Sequence, residues 1–221
     1  MELILAEKPS AARNFAKALG GKTGNYAGTE YKITNLRGHV MGLLPPDKQV
    51  PTEKVEFYKS WDLENLPWNL NDFAWKKGIL SGCKDIISGL KDELKEADCV
   101  VIATDVDPSG EGELLAWEAL EKCGWRGTTK RMYFADEAPA SVQKAFRERK
   151  TLPSMDKDGD YVKAVVRERW DLASMQFTRA ATLVARKKGF RTVVRQGRLK
   201  SVMVKLTGDQ LKAYNEYVRK P

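Results

Sequence analysis

The 221-residue sequence has a single histidine and only three cysteines. Cys83, Cys99 and Cys123 show neither the spacing of metal ligands nor an even-numbered framework, which argues against a zinc site and against a disulfide scaffold. Cys99 begins an apolar run that continues to Ile102. We therefore expect it to be a buried free thiol that packs as a small hydrophobic residue.

Long apolar runs are also missing. None approaches the roughly 20 residues that a membrane span requires. The start, MELILAEKPS, has neither the basic region nor the long apolar core of a secretory signal. We therefore expect a cytoplasmic protein with no membrane partner. The sequence leaves the oligomeric state open, with a monomer as the expectation.

Positive charge is abundant by contrast. The formal net charge is +8, and basic residues are dense between Val162 and Lys220. This stretch contains Lys163, Arg167, Arg169, Arg179, Arg186, Lys187, Lys188, Arg191, Arg195, Arg198, Lys200 and Lys205. Such a bias is compatible with a solvated basic surface, and equally with a track for nucleic-acid phosphates.

The order of apolar patterns predicts an α/β fold with a mostly parallel sheet. Strands are expected at 2–6, 31–36, 98–104 and 131–134, and helices at 11–19, 76–94, 111–123 and 140–149. The helix at 76–94 is open to a break near Gly78 or Gly82. Ser10 is the expected N-cap of the first helix and Gly20 its stop. Prolines and tryptophans between 45 and 77 predict an irregular excursion with aromatic anchors. The composition changes near residue 150, and 160–190 and 199–217 are expected to be helical.

Carboxylates cluster directly after the apolar strand at 98–104. Asp105 and Asp107 alternate along its exit, so both can point to one side. Glu111 begins the next helix, where the helix dipole favours negative charge. Oxygen ligands of this kind suit Mg²⁺. The alternative is an Asx-rich turn that caps the helix.

A second acidic position follows the first predicted strand. Glu7 and Lys8 lie at the end of 2–6, and the carboxyl ends of parallel strands share one edge of a sheet. A carboxylate and an ammonium there suit proton transfer and the stabilisation of phosphate charge. The alternative is that both side chains are simply exposed in a turn.

Five segments together resemble type IA DNA topoisomerases, particularly the topoisomerase III group. In chain order they are LAEKPSAAR at 5–13, RGHV at 37–40, Trp61 with Leu66-Pro67, ATDVD at 103–107 and GELLAW at 112–117. FTRAAT at 177–182 and GRLKS at 197–201 resemble the start of that family's next domain. The resemblance implies a Toprim domain over 1–150, with a mostly parallel sheet flanked by helices. A mainly helical, basic, partial DNA-binding domain would follow over 151–221.

The resemblance also implies roles for individual residues. Glu7 would assist proton transfer beside the scissile phosphate, and Lys8 would stabilise its charge. Asp105, Asp107 and Glu111 would hold Mg²⁺. The partner would be single-stranded DNA or negatively supercoiled DNA. The expected DNA contacts are Arg179, Arg195, Arg198, Lys200 and Ser201, largely through phosphates.

Two segments depart from the family's pattern. The family reads Asp-x-Asp-Arg-Glu-Gly-Glu, whereas Pro108-Ser109-Gly110 separates Asp107 from Glu111 here. Aligning on GELLAW makes Glu111 the third acid, while a gapless alignment would put Ser109 there. The family's Gly-Arg-x-Gln-Thr-Pro run appears as GRLKSV at 197–202, which leaves the contacts of its glutamine and proline in doubt.

Two further residues have open assignments. His39 is either a structural histidine at a strand end or, by its Gly-His pairing, a residue at the edge of the site that bonds DNA phosphate. Arg131 is expected to begin a strand near the acidic edge, where it would face DNA phosphate or form a surface salt bridge.

The nucleophile of type IA enzymes is a tyrosine in a Tyr-x-Arg context. Tyr217-Val218-Arg219 has these letters but lacks the flanking glycine, proline and threonine. We therefore expect an N-terminal fragment of an isomerase that is inactive alone, with its tyrosine downstream. The alternatives are another Toprim protein, such as a primase or nuclease, and a non-catalytic DNA-binding accessory protein.

Overall fold

A computed structural model describes residues 1–218 of the chain. These residues form two compact units. The first comprises Met1–Leu43 and Lys77–Arg167, and the second comprises Leu44–Lys76 and the chain from Glu168 onward. The predicted domain boundary near residue 150 stays a prediction.

The first unit is built on strands that form two sheets. In chain order the strands are β1 (Glu2–Ala6), β2 (Thr23–Tyr26), β3 (Thr29–Asn35), β4 (Met41–Leu43), β5 (Lys77–Ile79), β6 (Cys99–Ala103), β7 (Thr128–Arg131) and β8 (Lys150–Thr151). The main sheet has the order β2-β3-β1-β6-β7-β8, and β4 pairs with β5 separately. The four inner strands are parallel, while β2 and β8 are antiparallel edges. The predicted α/β class with a mostly parallel sheet is confirmed.

Eight α-helices accompany these strands in the described part of the chain. They are α1 (Pro9–Leu19), α2 (Pro46–Gln49), α3 (Val55–Lys59), α4 (Lys84–Glu93), α5 (Glu111–Cys123), α6 (Pro139–Arg147), α7 (Gly159–Lys187) and α8 (Arg198–Val218). None of the helices in residues 1–218 has the length and apolar character that a membrane span requires.

The two central strands, β1 and β6, are apolar except for Glu2 because helices cover both faces of the sheet. Leu3 and Leu5 of β1 join a core cluster with residues of α4 and α5. Ile4 and Ala6, which alternate with them, join a second cluster with residues of α1 and α6. All five residues of β1 and of β6 are buried, so these two strands form the centre of the unit.

Register brings the ends of β1 and β6 together. Ala6 is level with Ala103 of β6 on one side and with Asn35 of β3 on the other. The residues after Ala6 and after Ala103 therefore leave the sheet at the same edge.

The two ends of α1 follow local sequence signals, although the predicted N-cap is wrong. Pro9 occupies the first turn of α1, and Lys8 is its N-cap, so the prediction of Ser10 as N-cap is wrong. Proline at this position has its φ preset for the helix and no N–H to leave unpaired. Gly20 ends α1 in the left-handed conformation, as predicted.

Two predicted elements differ from the structure. The helix expected at 76–94 is interrupted at Gly82, one of the two break points considered, where φ is 77°. Only the part after this turn is helical, as α4, and the part before it is the short strand β5. The strand expected at 131–134 is β7, which ends at Arg131 instead of beginning there. Strands as short as β4, β5 and β8 carry too few residues for a period-two pattern to appear in the sequence.

The second unit anchors its irregular segment with buried polar and aromatic side chains. Gln49 is fully buried and bonds the carbonyls of Leu44 and Lys76 and the N–H of Lys76. Tyr58, Trp68 and Phe73 are buried and in mutual ring contact. The predicted excursion with aromatic anchors is therefore present, although Trp61 is 43% exposed.

Candidate active site

Glu7 and Asp105 meet at the carboxyl edge of the main sheet. The Asp105 backbone N–H donates a hydrogen bond to Glu7 Oε2 at 3.1 Å. Glu7 is half-buried, so it is not a simple exposed turn residue. Burial raises the pKa of Glu7, and the negative charges of Asp105 and Glu111 add to the rise, while the Asp105 N–H and Lys8 oppose it. A carboxyl group with a raised pKa suits proton transfer near neutral pH.

Lys8 lies beside the same carboxylates. Its Nζ is 3.3 Å from Asp105 Oδ2, and both side chains are about half exposed. The hydrogen bond to Asp105 raises the pKa of Lys8, so its ammonium form is favoured. The edge therefore presents an accessible positive charge next to an acid, which is the arrangement that phosphate-charge stabilisation requires.

Asp107 closes the acidic turn onto the first turn of α5. Its Oδ1 accepts the N–H of Ser109 at 2.7 Å, and its Oδ2 accepts the N–H groups of Glu111 and Gly112 at 3.1 and 3.4 Å. Burial raises the pKa of Asp107, but the Ser109 hydroxyl and these N–H groups outweigh it and lower the pKa. The capped turn considered as an alternative from the sequence is thus present.

Glu111 is held by two side chains, those of His39 and Arg167. Its Oε1 is 2.9 Å from His39 Nε2, and its Oε2 accepts a hydrogen bond from Arg167 at 2.7 Å. The His39 bond and then Arg167 lower the pKa of Glu111. Arg167 also bonds the Ser109 hydroxyl. The sequence included Arg167 only as one basic residue among many, and no local signal assigned it to this site.

Glycines make the turn possible. Gly110 has φ 75°, and a Cβ there would lie 2.1 Å from the Asp160 carbonyl oxygen. A Cβ on Gly112 would lie 2.2 Å from the Asp105 carbonyl oxygen. Both approaches are far shorter than van der Waals contact. The turn can therefore pass the start of α7 only with glycine at 110, and α5 can begin beside the exit of β6 only with glycine at 112. The inserted Pro108-Ser109-Gly110 segment thus supplies the glycine that its own path requires.

Arg131 requires a correction. It is fully buried, and its Nε donates to Glu113 Oε1 at 2.6 Å. Its remaining donors bond backbone carbonyls, including those of Thr104 at 2.7 Å and Asp105 at 3.1 Å. The predictions that Arg131 faces DNA phosphate or forms a surface salt bridge are therefore both wrong. Its partner is buried as well, since Glu113 is 3% exposed.

The side chains at this edge can be compared with the ligands that a divalent cation prefers. Carboxylate oxygens are the ligands that Mg²⁺ prefers, often one or two of them with water and phosphate. Among residues 1–218, however, no three His, Cys, Asp or Glu side chains are clustered as metal ligands. Asp105 and Glu111 are instead paired with Lys8, His39 and Arg167. The carboxylate oxygens are of the type that Mg²⁺ prefers, and ligation would require Asp105 and Glu111 to exchange these protein partners for the metal.

In the second unit, Arg179 also requires a correction. It is 6% exposed, and its NH1 donates to the carbonyls of Tyr58 and Ser60 at 2.8 and 3.3 Å. The guanidinium lies 4.9 Å from the ring centroid of Trp61 and 4.8 Å from that of Trp68. It anchors the irregular segment and is not presented to DNA, contrary to the prediction.

The remaining predicted DNA contacts are exposed. Arg195, Arg198, Lys200 and Ser201 all have exposed side chains around the start of α8. Arg198 is paired with Asp171 at 2.5 Å, and Ser201 Oγ accepts the Gly197 N–H at 3.0 Å. Tyr217 is exposed in α8, while Arg219 of the Tyr-x-Arg letters lies outside the described residues.

A separate cavity lies in the first unit. It has a volume of about 470 Å³ and is lined in part by Trp117, Trp125 and Pro153. The indole N–H of Trp117 bonds Asp158 at 2.8 Å, and that of Trp125 bonds Thr129 at 3.1 Å. Both indole donors are thus used internally, and no residue of the acidic edge lines this cavity.

Known proteins resemble the chain over most of the first unit. Residues 2–136 match the Toprim domain family. DNA topoisomerase 3 from Staphylococcus epidermidis is 30% identical over 151 residues, which is 67% of this chain and 20% of that protein. DNA topoisomerase 3 from Bacillus subtilis is 29% identical over 184 residues, which is 81% of this chain and 24% of that protein. The chain thus spans about a fifth to a quarter of the length of these relatives.

A solved structure of full-length topoisomerase I from Thermotoga maritima also matches. It is 23% identical, with a TM-score of 0.47, over 67% of this chain and 21% of that chain.

Proposed function

The chain belongs to the Toprim domain family, and from that premise we propose that it provides the metal- and phosphate-binding part of a type IA topoisomerase active site. The proposed reaction is single-strand cleavage and religation of DNA, with a tyrosine outside this sequence as nucleophile. The similarity to topoisomerase 3 proteins supports this assignment over other Toprim functions.

One observation carries the proposal. The parallel register of β1 and β6 brings Glu7 and Asp105 into direct hydrogen-bond contact at the carboxyl edge of the sheet. Lys8, Asp107 and Glu111 complete this edge from the same two chain segments. Ligand sites of open α/β sheets lie at such edges, which supports a phosphate site there.

Each side chain has a proposed task. Glu7, with its raised pKa, would exchange a proton with the group that attacks or leaves the phosphorus. Lys8 would stabilise charge on the phosphate oxygens. Asp105, Asp107 and Glu111 would hold Mg²⁺, which when bound supplies positive charge beside the phosphate. His39, beside Glu111, would bond a neighbouring phosphate.

DNA binding is proposed to use the exposed basic residues of the second unit. Arg195, Arg198, Lys200 and Ser201 would contact the backbone of single-stranded DNA, including single-stranded regions of negatively supercoiled DNA. Phosphate contacts position a strand without reading its sequence. The net charge of +8 supports an electrostatic contribution to this binding.

The nucleophile is not assigned to this sequence. Tyr217 lacks the flanking residues expected of the family's tyrosine, and it is exposed in α8. We therefore expect the 221-residue polypeptide to form no phosphotyrosyl adduct with single-stranded DNA. Detection of such an adduct on a denaturing gel would contradict this part of the proposal.

Calorimetric titration of Mn²⁺ or Mg²⁺ tests the metal site. Asp105→Asn is the sharpest variant because the Asp105 side chain bonds only Lys8 among its described partners, and its backbone contacts persist. We expect wild type to bind the metal and Asp105→Asn to lose the signal. Asp92→Asn, an exposed surface change in the same unit, is the control and should bind normally. Equal binding by all three proteins would refute the assignment.

A further inference from the structure

Arg131 makes an unusual set of contacts for a charged residue. Its side chain is fully buried, and each of its hydrogen bonds is to Glu113 or to a backbone carbonyl. The carbonyls belong to Ile102, Thr104, Asp105 and Met132, at 3.4, 2.7, 3.1 and 3.0 Å. A guanidinium presents five donors in a fixed plane, so these acceptors must keep fixed positions relative to one another.

Two of these carbonyls, those of Thr104 and Asp105, belong to the exit of β6. Parallel pairing ends with Ala103, and the chain then turns toward the acidic residues. Buried carbonyls without strand partners require a donor. Arg131 NH1 supplies it to Thr104, and NH2 supplies it to Asp105. The backbone of Asp105 is thus held from two sides, by Arg131 at its carbonyl and by Glu7 at its N–H.

Glu113 extends the contact to α5. It lies two residues after Glu111, and its Oε1 accepts from Arg131 Nε at 2.6 Å. Beside it, Thr104 Oγ1 donates to the Gly112 carbonyl at 2.8 Å. The guanidinium therefore fixes the first turn of α5, which carries Glu111, relative to the exit of β6, which carries Asp105.

Stability alone does not account for this pair. Burying two charges costs desolvation free energy that their attraction offsets only with good geometry, and apolar replacements of buried pairs are often no less stable. The contacts of the Arg131–Glu113 pair converge on the two segments that carry the acids.

We propose that Arg131 and Glu113 are positioning residues that set the separation of Asp105 and Glu111 for ligating a divalent cation. This rests on the proposed function, because it assumes that these acids hold the metal. Arg131 contacts no reacting group. It acts through the backbone of Asp105 and, by way of Glu113, through the first turn of α5.

The test compares Arg131→Lys with a matched control on the same helix. Lysine keeps the charge but cannot bridge Glu113 and the carbonyls in one plane. Glu118→Gln is the control, because Glu118 is also a buried acid of α5 in an ion pair, with Lys77, but touches no acid of the site. Three quantities are measured: Mn²⁺ affinity by calorimetry, backbone amide resonances in metal-free protein, and the thermal midpoint.

We expect Arg131→Lys to bind Mn²⁺ about 10- to 100-fold more weakly, because replacing a residue that orients metal ligands typically weakens metal affinity by that factor. Amide resonances from 104 to 112 should shift together. Glu118→Gln should lower the thermal midpoint while leaving both the Mn²⁺ affinity and those resonances unchanged. If Arg131→Lys does not fold, the same three measurements are made on Glu113→Gln, which preserves the shape of the side chain. The same outcomes then support or overturn the inference.

Wild-type Mn²⁺ affinity in Arg131→Lys, with resonance changes confined to β7, would overturn the inference. Absence of Mn²⁺ binding in wild type would instead refute the proposed function. In that case the amide resonances of 104–112 still decide whether Arg131 positions the acidic turn.

Discussion

Asp105 donates its backbone N–H to the carboxylate of Glu7 at 3.1 Å, although 98 residues separate the two in the chain. The contact uses the backbone of one residue and the side chain of the other. Glu7 therefore stays oriented whichever side chain occupies position 105. It also lies within the electrostatic influence of Asp105 and Glu111, which contributes to its raised pKa.

Replacing Glu7 should stabilise the metal-free protein at neutral pH. Because the pKa of Glu7 is raised in the folded state, folding binds a proton, and stability falls as pH rises from about 4.5 through the raised pKa. Glu7→Gln removes this penalty while still accepting the Asp105 N–H. We expect a gain of about 0.5–1 kcal/mol at pH 7 that vanishes below about pH 4. Urea denaturation across pH measures it, with exposed Glu148→Gln as control. A stability loss in Glu7→Gln at pH 7 would contradict the prediction.

Asp107 should behave in the opposite sense. Its lowered pKa means that its contribution to stability is present above about pH 4 and is lost as pH falls through the folded-state pKa. Asparagine has one oxygen and cannot accept from both Ser109 and the first turn of α5. We expect Asp107→Asn to cost about 1 kcal/mol at pH 7, and less in acid. Thermal denaturation at several pH values tests this, and a pH-independent difference would argue against it.

Arg167 should control the ionisation of Glu111. Arg167→Met removes the guanidinium that bonds the Glu111 carboxylate, so the lowered pKa of Glu111 should rise toward its ordinary value. Carboxyl carbon resonances followed by NMR titration report the change directly. Lys163→Met, one turn earlier on α7 and paired with exposed Asp160, should leave the titration of Glu111 unaltered. An identical effect of both variants would rule out a specific contact.

Replacing Arg179 should lower the stability of the protein. Arg179→Met leaves the Tyr58 and Ser60 carbonyls without their donor and removes the cation from between Trp61 and Trp68. We expect a loss of about 2–3 kcal/mol, followed by tryptophan fluorescence during urea denaturation. Arg169→Met, which removes an exposed cation from a single ring, that of Trp75, should cost less. Wild-type stability in Arg179→Met would contradict the anchoring role.

Replacing Arg195 should weaken DNA binding while leaving the stability of the protein unchanged. Its side chain is exposed, so Arg195→Met should leave the thermal midpoint within about 1 °C of wild type. If it contacts phosphate, affinity for single-stranded DNA should fall, and the slope of log K against log salt should decrease by about 0.7. Fluorescence anisotropy at four salt concentrations measures both. An unchanged slope would exclude a phosphate contact at this position.

Local patterns explain which parts of the site the sequence could predict. Glu7 and Asp105 follow apolar strands, and strand ends in a parallel sheet share an edge, so their proximity follows from local sequence. Arg131 could not be assigned in this way. Its burial depends on Glu113, which points inward from α5, a helix buried over residues 112–120. As long as such a partner is unknown, an arginine in a sequence is expected to be exposed.

The same limit applies to the fold. Long apolar runs predicted β1, β6 and α5 with nearly correct bounds, since burial on both faces leaves a strong signal. The three-residue strands β4 and β5 are defined by their pairing with each other. The chain segment between them belongs to the second unit, so no local pattern links the two strands. Arg179 was misassigned because its aromatic neighbours lie more than a hundred residues earlier in the chain.

The central place of β1 in the sheet has a consequence for biosynthesis. Strand β3 can pair with it early, but its other neighbour, β6, follows at a register offset of 97 residues. Ribosomes add roughly 5–20 residues per second, so on the order of 5–20 s pass between the two strands. During that interval one edge of a strand that is wholly buried in the fold lacks its partner on the nascent chain. The acidic edge, which joins the ends of both strands, can therefore form only after β6 has been synthesised.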